Sequence, residues 1–88
     1  MNVEEIQNFL DKKTSSPADH IRITFKKRDT IHGLFIRDHK DYAELKSKNF
    51  WRIVTSSRLD DYKKSKDIAH ARIFHGSEFQ RLAISKEN

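Results

Sequence analysis

The chain opens with apolar residues at helical spacing: Val3, Ile6 and Leu10 fall at i, i+3 and i+7, and Phe9 widens the stripe. The flanks fit an amphipathic helix over 1–13. Asn2 is placed to cap it with Glu5 as capping-box partner, Glu4 and Glu5 suit its positive end, and Lys12 and Lys13 suit its negative end. The run Thr14-Ser15-Ser16-Pro17 predicts a stop, because Pro17 lacks a donor and disfavours helical geometry in Ser16. The period then changes to two. Ile21, Ile23 and Phe25 alternate with Arg22, Thr24 and Lys26, as in a half-buried strand, and Lys27-Arg28-Asp29-Thr30 reads as a turn.

A second strand is predicted over 31–37, with Gly33 inside it. A glycine there marks a sharp bend, a bulge or the close approach of another backbone. Residues 38–49 are polar, with a helical turn expected around 43–46, and Phe50-Trp51-Arg52-Ile53-Val54-Thr55 predicts the third strand. Residues 56–67 form a charged connection in which Leu59 and Tyr62, at i and i+3, suggest another helical turn. A fourth strand is expected over 68–74, a tight turn at His75-Gly76-Ser77-Glu78, a fifth strand over 79–84 and a frayed tail over 85–88. The expected class is mostly β with an N-terminal helix, in one domain spanning 1–88.

Eighty-eight residues without cysteine leave a thin core and neither disulfides nor a Cys-based zinc site to reinforce it. A chain this short buries only roughly 60–65% of the surface its unfolded form exposes. Met1-Asn2-Val3-Glu4-Glu5 carries acid where a secretory signal needs base, and no apolar run approaches the roughly 20 residues of a membrane span, so a cytoplasmic location without membrane contact is expected. The net charge is +5, from 18 Lys and Arg against 13 Asp and Glu. Three of the acids (Glu4, Glu5, Asp11) lie in the first eleven residues, which hold no Lys or Arg, so the remainder carries 18 cations against 10 acids, a net of +8. Such an excess steers encounters toward anionic partners, and it equally serves solubility.

The order helix, β-hairpin, third strand, charged connection and two strands joined by a short turn resembles the Sm-like fold, the five-stranded, strongly bent barrel of the Sm, Lsm and Hfq proteins. Ile31-His32-Gly33-Leu34-Phe35, followed by Asp38, is similar to the first Sm motif, and Ile73-Phe74-His75-Gly76-Ser77-Glu78-Phe79 is similar to the second, with His75 in place of its Arg. Barrels of the Src-homology type share the strand order. The resemblance implies a barrel over 20–84, RNA as ligand, and homo-oligomers closed by pairing of exposed edge strands. The chain departs from uridine-binding members by holding Lys40 and Tyr42 where they offer an aromatic or His and an Asn. Tyr42 or His39 would then have to supply the stacking.

The resemblance places His39-Lys40-Asp41-Tyr42 and His75-Gly76 together. There His75 would donate to a phosphate or base edge, Gly76 would admit a backbone and Tyr42 would stack beneath a base. The structural alternative is that Gly76 supplies a positive φ for a turn and Tyr42 packs on the rim. Lys26, Lys27 and Arg28, with Lys46, Lys48, Arg52, Lys63, Lys64 and Lys66 elsewhere, are either phosphate contacts or solvated turn charges. Trp51 is either a core residue or an exposed anchor. The five His residues lack metal-ligand spacing, no nucleophile stands with a base and an orienter, and Gly33 and Gly76 are the only glycines, so no enzyme, metal or cofactor is expected. The competing reading is a protein-interaction module that binds a peptide or a partner strand through Trp51, Phe35 or an uncovered edge.

Overall fold

The computed structural model describes residues 1–16 and 18–85; the stop assigned to Pro17 and the tail at 86–88 lie outside them. The helix α1 (Val3–Lys12) forms for the reasons its sequence gives. The side chain of Asn2 accepts from the Glu5 N–H at 2.8 Å, and the Asn2 N–H donates back to Glu5 Oε1 at 2.9 Å, so two of the helix's orphan donors are satisfied together. At the far end the Thr14 hydroxyl donates to the Leu10 carbonyl, which the Arg37 guanidinium also approaches at 3.4 Å.

The strands are β1 (Ile21–Phe25), β2 (Ile31–Phe35), β3 (Phe50–Thr55), β4 (Arg72–His75) and β5 (Phe79–Ile84), all pairing antiparallel in the order β4-β3-β2-β1-β5. Helix α2 (Tyr42–Ser47) lies between β2 and β3, and α3 (Leu59–Ser65) follows a 3-10 turn at Ser56–Arg58 after β3. With helices of ten, six and seven residues beside strands of four to six, the class is mixed α/β and not mostly β. The fourth strand also starts later than the sequence pattern predicts. Asp67 accepts the Ala69 N–H at 2.9 Å and caps a 3-10 turn over Ile68–His70, which removes those residues from the ladder. Likewise β2 stops at Phe35, with one further bond from the Ile36 N–H to the Arg52 carbonyl.

Gly33 is where β2 changes partners: residues 31–33 pair with β1, and residues 33–35 pair with β3. A Cβ there would come within 2.7 Å of Ile53 Cγ2 and 2.8 Å of the Val54 carbonyl oxygen, so the position needs glycine for close approach. The register irregularity lies instead between β1 and β5, where Thr24 pairs with Arg81 but Phe25 pairs with Phe79, leaving Gln80 of β5 as the extra residue.

The sheet curls. β1 and β4 are three positions apart, which in a flat sheet means roughly 14 Å, yet the rings of Phe25 and Phe74 meet at 5.5 Å. The two edges, β4 and β5, are joined by only a three-residue 3-10 turn at Gly76–Glu78. No ladder joins them to each other among the described residues, so the sheet is open. Its concave face holds the main core of Ile21, Ile23, Phe25, Phe35, Trp51, Ile53, Phe74, Phe79 and Leu82, closed by Ile6 and Leu10 of α1. A smaller cluster of Ile36, Val54 and Leu59 docks α3 on the other face. Among the described residues no helix is long and apolar enough to cross a membrane.

Candidate nucleic-acid interface

The turn between β1 and β2 projects Lys26, Lys27 and Arg28 from the rim of the concave face, all three exposed. The β1–β5 pairing brings them to the β4–β5 turn, with the Lys26 N–H donating to the Glu78 carbonyl at 3.0 Å. Between the two turns lies a cavity of about 370 Å³ lined by Phe25, Lys26, Lys27, Arg28, Ser77 and Glu78. Its aromatic wall is charged on top: the Arg28 guanidinium sits 5.0 Å from the centroid of Phe25 and 5.4 Å from that of Phe74, and Arg72 sits 5.5 Å from Phe74. Phe25 is only 4% exposed, so the ring is held rigidly by the core beneath it.

His75 begins the β4–β5 turn. Its Nδ1 accepts the Ser77 N–H at 3.1 Å and lies 2.7 Å from the Ser77 hydroxyl, while its ring stands edge-on to Phe50 at 4.9 Å. Gly76 is buried and has no positive φ. What it supplies is room: its N–H donates to the Asn49 carbonyl at 2.8 Å, and a Cβ would overlap the Asn49 side chain and Ile6. The space beside Gly76 is thus filled by the protein itself. Asn49, with φ 64°, is the hub of this corner; its Oδ1 accepts the Trp51 indole N–H at 2.8 Å and its Nδ2 donates to the Met1 carbonyl at 3.1 Å.

His39 and Asp41 form a separate cluster on the convex face. Asp41 takes a two-pronged contact from Arg52, Nη1 to Oδ1 at 2.5 Å and Nη2 to Oδ2 at 3.0 Å, and His39 Nδ1 lies 2.6 Å from Oδ1. Hydrogen bonding from Arg52, and less so from His39, holds the Asp41 carboxyl down at about 2. Strand alternation puts Arg52 beside Ile73 and Phe50 beside His75, so His39 and His75 share that face. Tyr42 faces the other way. Its hydroxyl donates to Gln7 Oε1 at 2.8 Å, its ring meets Trp51 edge-on at 6.2 Å, and burial raises its pKa. Lys40 is exposed.

Of the sequence candidates, then, Lys26, Lys27 and Arg28 come together with the residues that follow His75 and Gly76, while Tyr42 is drawn toward α1. Among the other basic residues, Lys46 covers Tyr42 at 5.7 Å, Lys66 covers Tyr62 at 5.8 Å and Arg52 is committed to Asp41. Trp51 and Phe35 are core residues, 1% and 2% exposed, which removes both as surface anchors. Arg72, Ser77 and Glu78 were not singled out by sequence. The only hint for the last two is their place directly after Gly76. Among the described residues no group of three or more metal-ligating side chains is assembled. Comparison with protein-family models, with curated proteins and with solved structures finds no match to this chain.

Proposed function

We propose that this chain is a non-catalytic RNA-binding domain of the Sm-like small-barrel class. The observation that carries the reading is the cavity at the β1–β2 turn, where three consecutive cations surround an aromatic wall and none of them is used up in an ion pair among the described residues. Lysines there would take phosphates without regard to sequence, and a guanidinium already lying on a phenylalanine ring offers a flat cationic surface to an unpaired base. The strand order and the curl that brings β1 toward β4 are what a small barrel requires, and they support the fold half of the reading. On this reading His39, Lys40 and His75 extend the contact along the convex face, and β4 and β5 pair between copies to cover their open edges.

One observation favours a second reading, a module that takes a partner strand. Ile73 (48% exposed) and Phe50 (36%) are the large hydrophobic residues left on the surface among the described residues, and both lie on the convex face at the β4 edge. Affinity capture from lysate with and without nuclease separates the two. Recovery of RNA, with partner proteins lost on nuclease treatment, supports the first; partners retained through nuclease treatment support the second.

A further inference from the structure

The cavity beside the β1–β2 turn is not uniformly basic. Glu78 lines it together with Lys26, Lys27 and Arg28, yet its carboxylate makes no hydrogen bond or ion pair among the described residues. A pocket built for phosphate alone gains nothing from an acid in its wall, because a carboxylate repels phosphate. It becomes useful when the ligand presents hydrogen-bond donors on one side and negative charge on another. A nucleotide does both, and about 370 Å³ lies at the low end of the roughly 300–1,000 Å³ typical of ligand pockets, room for one nucleotide and not a run of them.

The identity of the base follows from the chemistry of the acid. A carboxylate only accepts hydrogen bonds. Guanine presents two adjacent donors on its Watson–Crick edge, N1–H and the N2 amino group, which match the two carboxylate oxygens. Uracil flanks its single N–H with two carbonyls that a carboxylate repels. Cytosine and adenine each set their amino group beside a bare ring nitrogen, so each offers one donor and one repulsion. We propose that this cavity holds a single unpaired guanine nucleotide of an RNA strand, with its base edge on Glu78, its face against the Arg28 guanidinium and its phosphates on Lys26 and Lys27. This rests on the RNA-binding reading and adds a base preference to it.

The test is fluorescence anisotropy with short labelled RNAs: all-uridine, the same with one central guanosine, and the same with one central inosine, which lacks the 2-amino group. The wild-type chain binds the guanosine oligomer about five- to a hundredfold more tightly than the all-uridine one, as a bidentate base contact implies, with inosine between. In Glu78→Gln that preference collapses while salt-dependent binding to all-uridine RNA persists. Equal affinity for the three oligomers, or a preference unchanged in Glu78→Gln, overturns the guanine assignment and leaves RNA binding standing. No binding to any oligomer overturns both. Guanosine monophosphate serves as the competitor that distinguishes the source: displacement at concentrations matching the oligomer's own affinity makes the free nucleotide the ligand and overturns the strand.

Discussion

Asn49 accepts the indole N–H of Trp51 at 2.8 Å from a left-handed backbone position, and so fixes the largest buried side chain to the loop that also receives the Gly76 N–H. Asn49→Ala removes the indole's partner and puts a residue with no local side-chain bond at φ 64°. The expected loss is about 1–3 kcal/mol of unfolding free energy, read from tryptophan fluorescence in urea. Asn49→Gly, which relieves only the backbone component, loses less than Asn49→Ala. Equal losses would show that the side-chain bond dominates entirely.

Gly76 is required for space and not for backbone freedom, since its φ is not positive. Gly76→Ala therefore pushes against Asn49 and Ile6 and destabilises by about 1–3 kcal/mol, as overpacking does. Gly76→Ala melting at the wild-type temperature would contradict the packing described here.

The Asp41 carboxyl sits at about 2 in the folded chain against an ordinary value of 3.8, chiefly through hydrogen bonds from Arg52. A depressed folded pKa means that the pair's contribution is present in full above the unfolded value and is lost as pH falls through the folded one. Urea melts from about pH 5 down to about pH 2 should thus cost the wild type more stability than Asp41→Asn. Parallel curves would show that the pair adds nothing in solution.

Much of the fold was legible in local pattern. The capping box of α1 and the alternation of β1, β3 and β5 are properties of neighbouring residues, and those elements form where the pattern puts them. The start of β4 was not legible, because Ile68-Ala69-His70 suits a strand by composition and only the Asp67 cap turns it into a 3-10 turn. The site was legible in part. Lys26, Lys27 and Arg28 stand out as a run, but their neighbour Glu78 lies some fifty residues away and meets them through the β1–β5 register. Asp41 has the look of a cap for α2 by position, yet its carboxylate goes to Arg52, a partner no spacing rule points to.

The most direct test of RNA binding at the β1–β2 turn is the salt dependence of anisotropy for single-stranded RNA, measured on the wild type and on the combined variant Lys26→Ala, Lys27→Ala, Arg28→Ala. Each phosphate contact contributes about 0.7 to the slope of log affinity against log salt on single strands, so losing the two lysine contacts flattens it by about 1.4, and losing the Arg28 base contact weakens binding further. A shallower slope and weaker binding in the variant is the predicted result. Wild-type affinity indifferent to salt, or the same slope in both proteins, contradicts the account.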